Sequence, residues 1–404
     1  MNKQEASLQS YRELFPILSE KIHLGNCSQS PQAMPVMAAM QEYIDNWRFV
    51  GMDWDFWMEG VHRAKASFAK LIHADVSEIA VVGSVSDATS MIASAFPLNL
   101  EDDGLNGSGR RQGVPRSERR HVVTTVDEFP TVGHVWHAHA NRGHLDVDFV
   151  SAPDRVYTPS VFEPYMTKQT GLVSVHHVGY YNGSKQDLNA LADFAHQHGA
   201  LLFVDAYQSM GTSVIDVRRT PVDMLVSGNL KYLLGLPGIA FLYVRKSVAE
   251  QLQPAMTGWF ARKNPFYFDA THMDYGDSAQ RFNTGTPPVL AAFAARGGMD
   301  MILQVGLERI SARIDELSAH AIAGVNLRGL ELASPDDVSR KGANTAIRVP
   351  DSHDLEVFLM QRNIIASARG DVIRLAPHFF STEVDLDKAL DAILEWKQTR
   401  GPID

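Results

Sequence analysis

Two residues carry the chemistry that is most legible in this sequence. Asp205 ends the apolar run LLFVD, and Lys231 follows the run DMLVSG after Asn229 and Leu230. Both runs read as short buried strands, and IAFLYVRK, beyond the glycine-broken turn LLGLPG, reads as a third. In an open parallel sheet the carboxyl ends of the strands deliver side chains to a ligand crevice. A carboxylate at one strand end and a lysine just past the next form the pair that pyridoxal phosphate (PLP) chemistry requires. The lysine forms the Schiff base, and the acid keeps the pyridine nitrogen protonated so that the ring withdraws electrons. Taken singly, each residue also fits an ordinary α/β protein with a strand-end acid and a surface lysine.

The fuller string narrows the choice. VDAYQS followed by SGNLKYLLGLPG resembles the fold-type I PLP enzymes of aminotransferase class V, a group containing cysteine desulfurases, kynureninases and isopenicillin-epimerase-like proteins. Their pattern, Asp-x-x-Gln or Asp-x-x-His and then a lysine, matches Asp205, Gln208 and Lys231. The resemblance implies that Asp205 pairs with the pyridinium nitrogen and Gln208 hydrogen-bonds the ring hydroxyl oxygen. It also places Asn229, beside the lysine, among the cofactor contacts. The implied fold is α/β, PLP-transferase fold type I: a large domain on a mainly parallel seven-stranded sheet and a smaller C-terminal α/β domain. The chain then divides into residues 1–30, which join the small domain, 31–295, the large PLP-binding domain, and 296–404, the small domain.

The elements that must position these residues are read along the chain. Residues 4–20 read as a short helix, and IHLGNCSQSP resembles the family's entry segment, which passes the active site. Cys27 is accordingly either near the substrate or a small packed residue. PQAMPVMAAMQEYIDNW repeats apolar residues at helical spacing. Trp47, Trp54 and Trp57 follow closely on one another, and either line the substrate mouth or pack at an interface. EIAVVG then reads as a strand running into small polar residues that open a helix, where free amides and hydroxyls make an anion site. This resembles the class V phosphate turn, here Ser84-Val85-Ser86-Asp87-Ala88, with Ser86 in the place of a phosphate-binding threonine and Val85 offering only its N–H. The same pattern also fits a plain helix cap.

LEDDGLNGSGRRQGVPRSERRH reads as a solvated loop. In the strand and helix after it, the EFP tripeptide resembles the kynureninase-like pattern in which a phenylalanine stacks on the cofactor ring, which assigns that role to Phe129. His134, His137 and His139 read as scattered histidines on one helix and not as metal ligands. Tyr180 and Asn182, in a loop that faces cofactor and substrate in the family, are expected substrate contacts. GWFAR resembles a Gly-Trp segment whose indole reaches the phosphate, implying Trp259. RFNTGTPPVL resembles a stretch whose threonine completes the neighbouring subunit's phosphate site, implying Thr286 and an obligate homodimer, although Asn283 stands where glutamate is usual. MDMILQVGLERISARIDELSAHAIAGV reads as a single linking helix. RLAPHFFST resembles the C-terminal motif whose arginine binds the substrate carboxylate, implying Arg374, whose guanidinium fork suits a carboxylate bidentately.

Composition bounds the rest. The 404 residues exceed one average domain, and 45% apolar with 21% charged residues is ordinary for a globular chain. A net charge of −10 disfavours nucleic-acid binding as the main task. The one cysteine permits no intramolecular disulfide. The polar start MNKQEASLQSYRELFP lacks a signal peptide's apolar core, and no apolar run approaches the roughly 20 residues of a membrane span. The expectation is a cytoplasmic PLP enzyme acting on an amino acid, first a lyase that removes a β- or γ-substituent. The alternatives are a class V aminotransferase, an epimerase, and a binding protein of the same fold without catalysis.

Overall fold

The computed structural model describes residues 8–96 and 119–400. Two 3-10 turns, Leu8–Leu14 and Pro16–Ser19, stand where one helix over 4–20 was expected. Pro16 separates them, having no N–H to donate and forcing its predecessor out of the helical region. Next come strand β1 (Ile22–His23) and the long helices α1 (Met34–Phe49) and α2 (Trp54–Leu71). Strand β2 (Ile79–Val82) leads into α3 (Val85–Ser94). Most of the arginine-rich loop lies outside the described residues. Beyond it run β3 (His121–Thr125), α4 (Pro130–Asn141), β4 (Asp146–Val150), the single turn α5 (Pro159–Phe162) and β5 (Thr170–His176). Helix α6 (Leu188–Gln197), β6 (Leu201–Asp205), β7 (Met224–Gly228), β8 (Ala240–Val244) and short α7 (Lys246–Ala249) complete this part.

These strands form one seven-stranded sheet in the order β2-β8-β7-β6-β5-β3-β4. Strand β8 runs antiparallel to both of its neighbours, and the other pairings are parallel. The sheet is therefore the mainly parallel, doubly covered kind that apolar runs such as LLFVD require. Along β6 the side chains alternate between its two covers: Leu202 and Val204 belong to one apolar core, Leu201 and Phe203 to the other.

Helices α8 (Val289–Val305) and α9 (Leu307–Leu327) follow. The single linking helix expected here is bent by 81° at Gly306, whose φ of 92° lies in the left-handed region open to glycine. Among the described residues no single helix is long and apolar enough to cross a membrane. The chain ends with β9 (Thr345–Arg348), α10 (Ser352–Gln361), β10 (Ile364–Ile365), β11 (Ser367–Arg369), β12 (Val372–Leu375) and α11 (Glu383–Thr399). Strands β11, β12 and β9 form an antiparallel three-stranded sheet over a third core that includes Leu317, Ile347, Ile373 and Leu390. The N-terminal segment joins this part: β1 pairs with β10, and Arg12 grips Asp385 with two nitrogens at 2.7 and 3.1 Å.

Candidate active site

The carboxyl ends of the parallel strands open on a cavity of about 240 Å³. Asp205 ends β6, His176 ends β5, Phe129 caps α4 just past β3, and Lys231 follows β7; all four line it. The first turn of α3 contributes Ser84, Val85 and Ser86. A larger cavity of about 480 Å³ lies elsewhere, beside His62, Lys65 and Lys246, and none of the strand-end residues lines it. The strand-end residues therefore share the smaller one.

Lys231 is half-buried, and its Nζ lies 4.0 Å from the centroid of the Tyr207 ring and 5.3 Å from that of Phe129. Burial brings its ammonium down to about 8, against the field of Asp205, which works the other way. Such an amine takes up and returns a proton close to neutral pH. Asp205 is buried, and its Oδ1 accepts the Tyr207 N–H at 2.8 Å. Burial pushes its carboxyl up to about 6, Glu128 adds to the rise, and the Tyr207 amide, Lys231 and His176 oppose it.

Glu128, which the sequence did not single out, sits behind this pair. Its Oε1 accepts the backbone N–H of His176 at 2.8 Å and the Thr125 hydroxyl at 3.2 Å, and lies 3.2 Å from His176 Nδ1. Burial works against protonation of His176, but the charge and hydrogen bond of Glu128 outweigh it and raise its proton affinity. Tyr207, Thr131 and His176 are likewise wall residues that sequence reasoning missed. Tyr207 lies inside the VDAYQS string that marked its neighbours, and Glu128 immediately precedes Phe129. Adjacency was the only signal.

At the other end, Ser84 caps α3, its hydroxyl accepting the Asp87 N–H at 3.1 Å. The next two amides, those of Val85 and Ser86, have no partner inside the helix and belong to cavity residues. Ser86 Oγ lies 2.7 Å from Thr131 Oγ1. Phe129 meets Tyr180 edge-to-face, centroids 5.3 Å apart. Gln208 lines the cavity while its Nε2 donates to the Cys27 carbonyl at 3.0 Å, which ties in the entry segment. Arg374 is buried just outside: it donates to the Tyr180 carbonyl at 2.7 Å, Ser367 Oγ at 2.6 Å and Ser28 Oγ at 3.1 Å.

Besides Arg374, four residues grouped with the site by sequence do not line this cavity within one chain. The Asn182 Oδ1 accepts the Ser184 N–H at 3.1 Å and so serves its own turn. The Asn229 amide is packed so tightly against Gly235 that a Cβ there would lie 1.5 Å from its Oδ1. Trp259 stands in an aromatic cluster with Trp54, Phe260 and Phe266. Thr286 is exposed in the loop before α8. Of the three early tryptophans, Trp47 is 62% exposed and none lines the cavity.

The donor set fits PLP. An amine, a carboxyl of raised proton affinity, two aromatic faces and a helix start with free amides are the chemical partners that its aldehyde, ring nitrogen, ring faces and phosphate need.

Comparisons with known proteins agree. A family model described as aminotransferase class-V matches residues 22–379. The chain is 38% identical over 385 residues to the uncharacterized aminotransferase YcbU of Bacillus subtilis (strain 168), covering 95% of this chain and 97% of that protein. It is 24% identical to kynureninase of Pseudomonas fluorescens, covering 90% of this chain and 85% of the relative. The apo structure of a cysteine desulfurase from Thermococcus onnurineus NA1 shares the fold, with a TM-score of 0.83 at 21% identity over 96% of this chain and 98% of that one.

Proposed function

Because this chain belongs to the aminotransferase class-V family of PLP-dependent enzymes, we propose that it holds PLP at Lys231 and removes a β- or γ-substituent from an amino acid. One observation carries the reading: the Lys231 amine, the Asp205 carboxyl and the first turn of α3 share one cavity. Bound PLP supplies an electron sink for charge developing at the substrate α-carbon. The chain's own residues do the rest. Asp205 holds the proton of the ring nitrogen, and Glu128 with His176 supports it from behind. The amides of Val85 and Ser86 and the hydroxyls of Ser86 and Thr131 take the phosphate. Phe129 and Tyr207 offer flat faces for the ring, and Gln208 has a second N–H for the ring oxygen. With a proton affinity near 8, Lys231 removes the α-proton and returns one.

Arg374 and Tyr180 are the proposed holders of the substrate's α-carboxylate end. Cleavage of a substituent is favoured by the aromatic wall of Phe129 and Tyr180. Transamination is the second reading, supported by the 38% identical relative described as an aminotransferase. We also read the protein as a cytoplasmic homodimer, with residues 31–295 and 296–404 as its large and small domains. Exposed Thr286 and the solvent-facing Trp47, Met52 and Phe268, at 62, 77 and 82%, support a second copy covering that side. The test is to incubate the purified holoenzyme with single amino acids, with and without a 2-oxo acid, and to assay released fragments. Fragment release without a 2-oxo acid is expected. Turnover that strictly needs the 2-oxo acid and releases no fragment would replace the lyase reading with transamination.

A further inference from the structure

The hairpin of β11 and β12 has two faces with different partners. Ala368 and Ile373 pair across it and belong to the third core. Ser367 pairs with Arg374 and Arg369 with Val372, so by strand alternation these four share the opposite face. That face adjoins the cavity wall. Arg374 donates to the carbonyl of Tyr180, a lining residue, and the hydroxyl of the next residue, Tyr181, donates to Asp371 at the hairpin tip. A Cβ on Gly370 would lie 3.8 Å from the Tyr181 ring, so the tip rests on the same loop.

Three arginines project from this face, since Arg348 pairs with Val372 from β9. They differ in what they hold. Arg374 donates to Tyr180, Ser367 and Ser28 and keeps one N–H of Nη1 for a ligand, and Arg348 is paired with Asp371 and Glu331. Arg369 is exposed, and no hydrogen bond or ion pair engages it among the described residues. Its charge nevertheless reaches the catalytic amine: behind burial, Arg374 and Arg369 both add to the lowering of the Lys231 proton affinity. A guanidinium without an acid, on the strand face beside the cavity and in electrostatic reach of Lys231, is a receptor for an anionic group on a ligand.

We propose that Arg369 binds a second acidic group, carried on the substrate side chain, while Arg374 serves the α-carboxylate, so that the substrate is an acidic amino acid. The inference rests on the PLP reading above and adds the substrate class to it. Exposed at the hairpin, Arg369 takes the distal carboxylate when the ligand enters, and a neutral side chain of the same shape leaves it in water.

The experiment titrates the cofactor absorbance of the holoenzyme with L-aspartate, L-glutamate, L-asparagine and L-glutamine, and in parallel records the shift each causes in the melting temperature. The expected result is that an acid binds at least about tenfold tighter than its amide, as a charge-assisted bond provides. In Arg369→Gln that preference collapses towards about onefold, and in Arg369→Lys part of it survives. A melting curve of each unliganded variant verifies folding. Equal binding of acid and amide, or an acid preference untouched in folded Arg369→Gln, overturns the inference and leaves the PLP reading standing. If no amino acid perturbs either signal while PLP is bound, the amino-acid reading itself falls and this inference with it.

Discussion

The amine of Lys231 sits 4.0 Å from the centroid of the Tyr207 ring, and Tyr207 in turn gives its N–H to Asp205. Burial favours the neutral amine, while the ring face and the nearby carboxyl favour the ammonium. The balance, near 8, suits a residue that both captures an aldehyde and moves a proton. Borohydride reduction of the holoenzyme followed by peptide mapping is expected to put the pyridoxyl label on Lys231. Lys231→Ala is expected to lose all turnover while keeping a folded chain. Label on any other lysine removes the basis of the site.

Asp205 trades stability for function. Its folded carboxyl titrates at about 6 against an ordinary 3.8, so between those values the native state binds more protons than the unfolded chain. The stability linked to it is present below about pH 4 and is lost as pH rises through 6. Asp205→Asn removes this loss. Urea denaturation of the apoprotein at pH 7 is expected to show the variant more stable by on the order of 2 kcal/mol, with weaker PLP binding. A variant less stable than the parent at pH 7 contradicts the buried, ligand-ready carboxylate.

Gly211 lies in the left-handed region at φ 95°, and a Cβ there would stand 2.2 Å from the carbonyl oxygen of Tyr232, next to Lys231. Because the clash is with backbone, no rotamer relieves it. Gly211→Ala is expected to cost roughly 2–4 kcal/mol, measured by chemical denaturation, and to weaken PLP retention by displacing the lysine turn. A cost under about 1 kcal/mol argues for a turn that relaxes freely.

The proposed shared site makes subunit mixing diagnostic. Lys231→Ala and Thr286→Asp are each expected to be inactive as pure proteins, the second because a carboxylate would face the phosphate. Random reassortment should restore about a quarter of the parent activity, since only mixed dimers hold one intact site. No recovery on mixing, or an active monomer in sedimentation, sinks the composite site.

Cys27 is 1% exposed, and its carbonyl is held by Gln208. It is the chain's only cysteine. A persulfide carrier needs exposure and mobility, and this thiol has neither. Cys27→Ser is therefore expected to leave any activity on cysteine or cystine within about twofold. Complete loss, with cyanide-releasable sulfur on the parent protein, would assign the thiol a role in catalysis.

Much of the site was legible because its rules are local. A buried apolar run ending in an acid, a lysine after the next run, and small polar residues before a helix are patterns of a few residues each. Asp205 and Lys231, named from such patterns, and Gln208, Val85, Ser86, Phe129 and Tyr180, named from the family resemblance, line one cavity. Short apolar runs likewise marked strands of the sheet, and helical spacing marked α1.

Tertiary structure decided which way side chains point and who stands behind them. Glu128 and His176 meet across two strands, and Arg374 reaches Tyr180 nearly two hundred residues away. No local pattern encodes such pairs. Asn182 and Asn229 lie within two residues of ones that line the cavity, yet a turn and a tight backbone approach direct them elsewhere. Arg369 shows the same dependence, because a hairpin's two faces differ only once one of them is buried against a core. Spacing along the chain determined which residues arrive at the strand ends. Long-range packing, which sets burial and therefore charge and proton affinity, decided what each of them can do there.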